Sequence, residues 1–548
     1  MTDDAPSPGF GASSPGPPAR RHGPGQRWTS TTRFGALELV AGAVALVALL
    51  PLGYLGIRAL ERGPRAALEV LLRDRTLDLA LRTLLLAGAV TAACLVLGVG
   101  TAWLVTRTDL PGRRALAVLL ALPLAIPSYV AAFTWISTWP GIAGFSGAFI
   151  VLTAVSYPLV LLPVAASLRT ADPALTEVAR SLGLSPWHTF LRVTVPQVRS
   201  TATAGSLLVA LYVLSDFGAV SVMRYDAFTT GIFTSYRASF DRVPAAVLGV
   251  ALVLVAVVLA VTELRARGTA DRHDRSARAT GGLVGSVDPV RLGRWKLPAL
   301  AALGALVVGA TGVPVAVLVR WLTTRRTELD LPELLDATAA TLQLAGLGAL
   351  ATTVLALPVG LLVARRRGPY VRSVELAAYA GHALPGITIG LALVFVGVRL
   401  LPGIYQRTPL LVLAYVVLFL PLAVGAIRAA IAASPRALEE VARSLGRGRL
   451  AVLLLVTIRL ALPGIAAGAA LVFLTVTKEL PATLLLRPTG MDTLAAEMWS
   501  RTSVAAYGAA APYAAMLVVV AVIPAVVLDS VLRRTRTRVD AAAAGTPS

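Results

Sequence analysis

Long apolar segments alternate with short polar ones along most of this chain. The first six apolar segments lie near residues 36–57, 82–106, 115–137, 145–168, 201–223 and 243–262. The second six lie near residues 298–319, 338–364, 374–398, 408–427, 460–486 and 511–532. Each is long enough to cross about 30 Å of hydrocarbon as a helix, which satisfies its own backbone hydrogen bonds. The pattern predicts an all-α integral membrane protein with about twelve transmembrane helices.

A ten-residue phrase occurs once in each set of six. Ala-Leu-Thr-Glu-Val-Ala-Arg-Ser-Leu-Gly ends at Gly183, and Ala-Leu-Glu-Glu-Val-Ala-Arg-Ser-Leu-Gly ends at Gly446, 263 positions later. The same offset places Asp216 on Glu479, and an offset of 258 aligns the segments upstream. Such self-similarity indicates two homologous six-helix halves. Because each half has an even number of spans, both enter the membrane in the same direction, and the pseudo-twofold axis runs along the membrane normal.

Both phrases are polar and lie between apolar segments, so each is expected to form a loop at the membrane surface. We name residues 170–199 the first repeat loop and residues 431–459 the second repeat loop. In the first, residues 173–182 favour a helix, and Gly183 suits a left-handed turn that ends it. Ser185 and Pro186 then start a second short helix. The second repeat loop has Gly448 in place of Ser185, so its second helix is expected to be less firmly capped.

The composition supports a membrane protein, and the charge pattern sets its orientation. Apolar residues make up 56% of the chain and charged residues 14%, with a mean hydropathy of +0.75. Lys and Arg cluster in residues 265–278, 365–367 and 533–538, and such clusters mark cytoplasmic segments. We therefore expect both termini and both repeat loops on the cytoplasmic side. The net charge of +21 is spread over short loops without interleaved aromatic residues, so the expected contact is the lipid bilayer rather than nucleic acid.

These assignments divide the chain into five parts. Residues 1–32, rich in Pro, Gly and Ser, are expected to be a disordered cytoplasmic tail. Residues 33–263 form the first half and residues 298–532 the second. A basic cytoplasmic linker, residues 264–297, joins them, and residues 533–548 form a cytoplasmic C-terminal tail.

A shorter motif begins inside each phrase and extends beyond it. Glu177-Val178-Ala179 is followed by Gly183 and Phe190, and the second copy ends with Leu453 where the first has Phe190. The motif resembles the cytoplasmic loop of importer-type ABC permeases that depend on a binding protein. In that family the short helix of the loop sits in a groove on the ATPase subunit. The resemblance implies that coupling to the ATPase is carried by Glu177, Ala179, Gly183, Phe190, Glu440, Ala442, Gly446 and Leu453.

The chain itself lacks the means to hydrolyse nucleotide. A phosphate-binding loop requires Gly followed directly by Lys, but the only lysines are Lys296, after Trp295, and Lys478, after Thr477. The four histidines are scattered and no catalytic set is present, so we expect no enzyme activity, no catalytic residues, no cofactor and no metal site. The resemblance and the repeat together imply two copies of a separate ABC ATPase subunit and an extracytoplasmic substrate-binding protein as partners.

Ionisable residues inside spans are costly and therefore functional candidates. Asp216 and the pair Lys478-Glu479 occupy equivalent places in the fifth span of each half. One interpretation places them along a central path, with Lys478 neutralising Glu479. The other, equally open, pairs the carboxylates with loop arginines such as Arg224 or Arg487.

Polar residues beside prolines in the third span of each half are further candidates for the path. These are Ser128, Tyr129, His382 and Thr388. Proline and glycine in a span can open a helix toward a cavity, although they are also common in packed membrane helices. Both interpretations remain open at this point.

Three phrases, at residues 108–114, 123–130 and 216–220, look like those of ferric-iron importer permeases. Fused thiamine permeases share the two-half layout, so thiamine or another small solute is the alternative cargo. A twelve-helix secondary transporter also fits the topology but leaves the paired loops unexplained. The expected protein is the permease subunit of an ATP-driven importer in the bacterial cytoplasmic (inner) membrane.

Overall fold

A computed structural model describes residues 35–170, 174–238, 242–278, 289–324, 330–381 and 384–521. The regular secondary structure in these ranges is helical, apart from one isolated β-bridge between Thr108 and Val290. The expected tails, residues 1–32 and 533–548, lie outside the described residues, as do residues 279–288 of the expected linker. The beginning of that linker continues the preceding helix as far as Arg278.

Thirteen helices form the described part of the first half. They are α1 (Ala36–Ala59), α2 (Pro64–Leu71), α3 (Asp74–Arg107), α4 (Arg113–Leu119), α5 (Ser128–Thr138), α6 (Phe145–Ser156), α7 (Pro158–Thr170), α8 (Ala174–Ser181), α9 (Pro186–Thr189), α10 (Val195–Ser215), α11 (Gly218–Val222), α12 (Phe228–Ala238) and α13 (Val243–Arg278). A π-helical turn, Phe190–Thr194, joins α9 to α10.

Twelve helices form the described part of the second half. Its helices are α14 (Lys296–Val307), α15 (Val313–Thr323), α16 (Leu331–Arg365), α17 (Pro369–Ala380), α18 (Gly386–Arg399), α19 (Thr408–Ala433), α20 (Arg436–Ser444), α21 (Arg449–Val452), α22 (Arg459–Thr477), α23 (Pro481–Leu486), α24 (Leu494–Ser503) and α25 (Tyr507–Ala521). The turn Leu453–Ile458, also π-helical, joins α21 to α22.

The predicted number of spans is confirmed. Eight helical stretches in the described ranges are long and apolar enough to cross a membrane, and a bent pair, Arg113–Ala125 with Ser128–Thr138, supplies a ninth. Three shorter apolar helices, Val243–Leu259, Gly386–Arg399 and Tyr507–Ala521, fill the remaining predicted positions. The protein is thus an all-α membrane protein with about twelve spans in two repeated halves.

Two spans of each half are broken, whereas the apolar pattern predicted continuous helices there. The third span of the first half turns by 90° between Ala125 and Ser128, because Pro127 disfavours helical geometry in the residue before it. Pro385 lies between α17 and α18 in the same way. The fifth spans stop at Ser215 and Thr477, and each restarts as a short helix a few residues later. The continuous spans predicted at 201–223 and 460–486 were wrong in this respect, whereas the breaks at 115–137 and 374–398 fall at the prolines that the sequence analysis named as able to open the helix.

The outermost spans exchange between the halves. Helix α1 packs against α16, α17 and α18 of the second half. Helix α15 packs against α5 of the first half, where Trp321 Nε1 donates to Ser137 Oγ at 3.2 Å. Helix α25 joins the first-half core, with the Tyr507 ring 6.1 Å from that of Phe133. The two halves therefore interlock, which the sequence pattern did not predict.

The end of the expected linker is fastened to the first half. Val290 N donates to Arg107 O at 2.8 Å, and Asp109 N donates to Val290 O at 3.2 Å. The Asp109 carboxylate accepts from Leu292 N at 3.0 Å and pairs with Lys296 at 2.8 Å. The hydrogen bond from Leu292 N, and to a lesser extent the one from Lys296, lowers the pKa of the Asp109 carboxyl below its ordinary value.

Candidate functional site

Asp216 marks the break in the fifth span of the first half. Its Oδ1 accepts from the backbone N–H groups of Ala219 and Val220, at 2.8 and 3.3 Å, which closes the first turn of α11. Ser128 Oγ, at the start of α5, donates to the other oxygen at 2.5 Å. The carboxylate, in a residue only 9% exposed, thus joins the breaks of the third and fifth spans. Each oxygen has a donor, which a buried charge requires.

Glu479 marks the break in the fifth span of the second half in the same way. Its two oxygens accept from Ala482 N and Thr483 N, both at 3.0 Å, and so cap α23. The Thr483 hydroxyl lies 2.9 Å from the Glu479 carboxylate and 2.8 Å from the Tyr415 hydroxyl. Sequence reasoning missed Thr483 and Tyr415, whose equivalents in the first half are Val220 and Leu152.

The side chains of Asp216 and Glu479 differ in length, and the residues beside them differ in size accordingly. The position of Ser128 is taken by Gly386 in the second half, at the same offset of 258. A Cβ on Gly386 would lie 2.6 Å from Glu479 Oε1. The longer glutamate therefore needs the space that a side chain at residue 386 would fill, whereas the shorter Asp216 is reached by a serine.

Lys478 connects the halves. Its Nζ donates to Leu124 O at 3.1 Å, and its own carbonyl oxygen accepts from the Tyr129 hydroxyl at 3.4 Å. In the described structure it forms no ion pair with Glu479 or Asp216. The expected neutralisation of Glu479 by Lys478 is thus absent, and the ammonium group is held by a carbonyl of the opposite half.

Thr388, a further path candidate, stands apart from this network. The Thr388 hydroxyl donates to Pro385 O at 2.6 Å, and its methyl group lies 3.6 Å from where a Cβ of Gly249 would be. His382 lies outside the described residues. The alternative pairing with loop arginines is not seen in the described ranges, where Arg487 pairs with Asp492 instead.

Both repeat loops end their first helix in the predicted left-handed turn. Gly183 has φ 81° and Gly446 has φ 79°. In the first loop, Leu184 N donates to Ala179 O at 3.1 Å, and in the second, Arg447 N donates to Ala442 O at 3.1 Å. This is the hydrogen bond of a Schellman motif, which satisfies the last carbonyls of a helix.

The start of the second short helix in the first repeat loop also follows the prediction. Ser185 O accepts from Thr189 N at 2.9 Å, and Ser185 Oγ accepts from His188 N at 3.4 Å. In the second repeat loop Gly448 offers only its carbonyl oxygen, which accepts from Val452 N at 3.0 Å.

Each repeat loop exposes an apolar stripe at four matched positions. In the first loop these are Leu175, Val178, Leu182 and Trp187, which are 52%, 55%, 77% and 62% exposed. In the second they are Leu438, Val441, Leu445 and Leu450, which are 46%, 54%, 75% and 68% exposed. We name these two sets the first and second exposed stripes. Glu177 and Glu440 are exposed beside them, whereas Ala179 and Ala442 face inward.

The inward faces of the two loops are anchored by different chemistry. In the first, Phe190 is 9% exposed, and its ring lies 5.1 Å from Trp103 and 5.6 Å from Trp187. In the second, Leu453 is half-buried and an ion pair joins Glu439 to Arg365.

Sequence reasoning missed Glu439, although a signal was present. It is the glutamate that replaces a threonine in the otherwise identical phrase. Its Oε1 also accepts from Thr457 Oγ1 at 2.9 Å. The one change between the two copies therefore identifies the residue that anchors the second repeat loop.

The comparison with known families agrees with this repeated geometry. The family described as "Binding-protein-dependent transport system inner membrane component" matches residues 94–264 and 356–537. The chain belongs to this family. Each matched segment of this binding-protein-dependent transport component contains one repeat loop and one broken fifth span. The family is one of membrane transport components rather than of enzymes.

Similarity to one transport permease extends over nearly the whole chain, and similarity to others extends over about a third of it. The chain is 36% identical to the Fe(3+)-transport system permease protein FbpB 2 of Haemophilus influenzae, over 90% of this chain and 97% of the relative. It is 29% identical to the sulfate transport system permease protein CysW of Escherichia coli, over 33% of this chain and 67% of the relative. It is 28% identical to the molybdate/tungstate transport system permease protein WtpB of Thermococcus kodakarensis, over 31% of this chain and 72% of the relative.

Proposed function

We propose that this chain is the permease subunit of an ATP-driven importer of ferric iron. The assignment of ferric iron as the cargo rests on the similarity to a permease named for Fe(3+) transport, which extends over 97% of that relative. The two relatives named for sulfate and for molybdate or tungstate each align with about a third of the chain. An oxyanion is therefore the second candidate cargo, ahead of thiamine.

The exposed stripes are the proposed docking sites for two copies of a separate ABC ATPase subunit, one on each repeat loop. Apolar side chains at four matched positions on two loops form the kind of surface that a partner covers. The Schellman turns at Gly183 and Gly446 fix the angle between the two short helices of each loop. Coupling by Glu177, Ala179, Phe190, Glu440, Ala442 and Leu453 is part of this proposal.

The proposed orientation places both repeat loops and both termini in the cytoplasm. The division into halves at 33–263 and 298–532 follows the repeat, with residues 264–297 as the linker. A substrate-binding protein, on which transport in this family depends, then docks on the extracytoplasmic side. Closure of the ATPase subunits moves the repeat loops, and the two halves rock to open the path alternately.

The path is proposed to run beside the four breaks in the third and fifth spans. Ser128, Tyr129, Asp216, Lys478 and Glu479 lie there, and Lys478 spans the contact between the halves. Broken helices expose backbone groups and helix ends, which serve as binding sites in transporters. His382 and Thr388 belong to the same third span and remain candidates on that ground alone.

Reconstitution tests the proposal. The chain is placed in liposomes with a candidate ATPase subunit and a candidate binding protein from the same organism, and uptake of ⁵⁵Fe(III), ³⁵S-sulfate and ³H-thiamine is measured with and without ATP. ATP-dependent uptake of iron alone is expected. Uptake driven by an ion gradient without the ATPase contradicts the importer proposal, and ATP-dependent uptake of sulfate or thiamine instead of iron contradicts only the cargo.

A further inference from the structure

The first span of each half starts at an ion pair with the opposite half. In the first half, Glu38 near the start of α1 pairs with Arg366, which directly follows α16. In the second half, Lys296 at the start of α14 pairs with Asp109 at 2.8 Å, and Asp109 lies two positions after the end of α3. Each first span is thus held to the end of the second span of the other half.

The two ion pairs occupy equivalent places in the repeat but have opposite polarity. The offset of 258 aligns Glu38 with Lys296, and it aligns Asp109 with Arg367, the neighbour of Arg366. The first span therefore contributes the acid in one half and the base in the other, and the receiving span contributes the opposite charge. Reversal of one member alone would have brought like charges together, whereas both members are reversed.

The pair made by α1 is built into a closely packed contact. Glu38 is only 6% exposed, and its backbone oxygen accepts from the Tyr370 hydroxyl of α17 at 2.6 Å. Gly42 lies one turn further along α1, and a Cβ at that position would overlap the Tyr370 hydroxyl. A carboxylate withdrawn from water needs a cation or hydrogen-bond donors beside it. The start of α1 therefore fits a receiving end that carries positive charge.

The apolar faces of the two first spans distinguish the halves less sharply than the charges do. The inward face of α1 consists of Ala41, Val44, Ala45 and Ala48, which belong to the core of the second half. The equivalent face of α14 is also aliphatic and packs on the core of the first half. Aliphatic packing tolerates exchange between surfaces of similar volume. Charge separates a right from a wrong partner by its sign.

We propose that the Glu38–Arg366 and Asp109–Lys296 pairs determine which half each first span joins. Against its own half, Glu38 would face Asp109 and Lys296 would face Arg366, so both first spans would meet a like charge. The interlocked arrangement matches both pairs at once. Repulsion of the wrong partner is a general source of specificity between similar surfaces. The selection operates while the halves assemble, whatever the cargo or the energy source.

Crosslinking between α5 and α15 reports whether the first span of the second half has joined the first half. Ser137 Oγ and Trp321 Nε1 lie 3.2 Å apart across this contact, and both residues are replaced by cysteine in the full chain. A protease site within residues 279–288 lets the two halves separate on a denaturing gel after cleavage. A short bifunctional thiol reagent then joins the two fragments only where α15 packs on α5. Cys94 is buried and is shielded from the reagent.

Two double variants of this reporter chain keep the net charge and test the sign of each contact. Lys296→Glu with Asp109→Lys restores an attractive pair, and crosslinking at the level of the unaltered reporter is expected. Lys296→Glu with Glu38→Lys reverses both first spans, so each is repelled by the opposite half, and the crosslinked fraction should fall about twofold or more. Arg294→Glu is the matched control for Lys296→Glu, because Arg294 is exposed two positions earlier, and it should crosslink normally.

Three results would overturn the proposal. The first is undiminished crosslinking when both first spans are reversed. The second is an equal loss in the two double variants, which would show sensitivity to the substitutions and not to the sign of the charge. The third is a lower unfolding temperature with unchanged crosslinking, which would leave the pairs a stabilising role only.

The test remains decisive if the variant with both first spans reversed fails to fold. Lys296→Glu alone is then compared with Lys296→Glu plus Asp109→Lys, and only monodisperse protein is scored. Lower crosslinking in the single variant and recovery in the double variant support the proposal, whereas equal crosslinking in the two overturns it. The assay needs neither ATPase nor transport, so its failure leaves the proposed importer untouched.

Discussion

Replacing both Gly183 and Gly446 with valine is expected to uncouple ATP hydrolysis from uptake. Their φ angles of 81° and 79° lie in the left-handed region, and a Cβ added to either would meet no atom within 4 Å. The cost therefore arises from the backbone conformation alone, roughly 1–2 kcal/mol at each site for a residue with a Cβ. Every 1.4 kcal/mol is about tenfold in an equilibrium. Each native turn should thus lose about tenfold in population against competing loop conformations.

The assay measures ATP hydrolysis and ⁵⁵Fe uptake together in liposomes that contain the ATPase and the binding protein. We expect the double valine variant to remain in the membrane and hydrolyse ATP, while uptake per ATP falls about tenfold or more. The double asparagine variant should retain most of the coupling, because asparagine tolerates left-handed geometry. Gly112→Val is the matched control, since Gly112 is left-handed (φ 68°, ψ 17°) and has open space around it but lies between α3 and α4. Wild-type uptake per ATP in the double valine variant would show that coupling does not depend on these turns.

Three other changes test the packing and the electrostatics. Gly386→Ala should destabilise the protein, because its Cβ would lie 2.6 Å from Glu479 Oε1, and a lower thermal unfolding temperature checks this. Ser128→Ala should cost about 1.5–3 kcal/mol of stability, because the charged Asp216 loses a hydrogen bond, measured by unfolding in denaturant. Because the folded pKa of Asp109 is lowered, its stabilising effect is present above the ordinary pKa of 3.8 and is lost as the pH falls through the lowered value. The stability of Asp109→Asn should therefore depend less on pH below about 4 than that of the wild type.

Matched controls separate these effects from general damage. Gly346→Ala adds a methyl group in α16 where no atom lies within 4 Å, and it should leave the unfolding temperature unchanged or raise it. Ser146→Ala removes an exposed hydroxyl that bonds only within its own turn. The roles given to the two breaks would be wrong if Gly386→Ala had the same unfolding temperature as Gly346→Ala. They would also be wrong if Ser128→Ala had the same stability in denaturant as Ser146→Ala. An identical pH profile for Asp109→Asn and wild type would contradict the role of Asp109.

The features that follow from local chemistry were predictable from the sequence. Spans were located by their length and apolar composition, because backbone hydrogen bonds leave few alternatives inside a membrane. The left-handed turns at Gly183 and Gly446 followed from a glycine after a helix-forming segment. The cap at Ser185 followed from the serine-proline pair. The repeat then indicated, without any knowledge of contacts, that the two halves are homologous and enter the membrane in the same direction.

The features that depend on which side chains meet were not predictable in this way. An apolar run does not reveal that Asp216 or Glu479 caps a short helix, since the capping partners are backbone groups freed only when the span breaks. The exchange of α1 and α15 between the halves depends on packing surfaces that composition leaves equivalent. The role of Glu439 depends on Arg365, which lies 74 positions away. Comparing the two copies residue by residue comes nearest to such information, because a change in one half without its counterpart indicates a contact that only one half makes.

Site-specific crosslinking is the sharpest test of whether the two repeat loops receive the ATPase subunits. Cys94 is buried, so cysteines introduced at Leu182 and Leu445, which are 77% and 75% exposed, can be labelled selectively. Mixed with the ATPase, each single variant should crosslink one ATPase subunit and the double variant two. A cysteine at Leu68, 54% exposed on α2, should crosslink none. Crosslinking at residue 68 but not at residues 182 and 445 would place the ATPase elsewhere and overturn the docking sites.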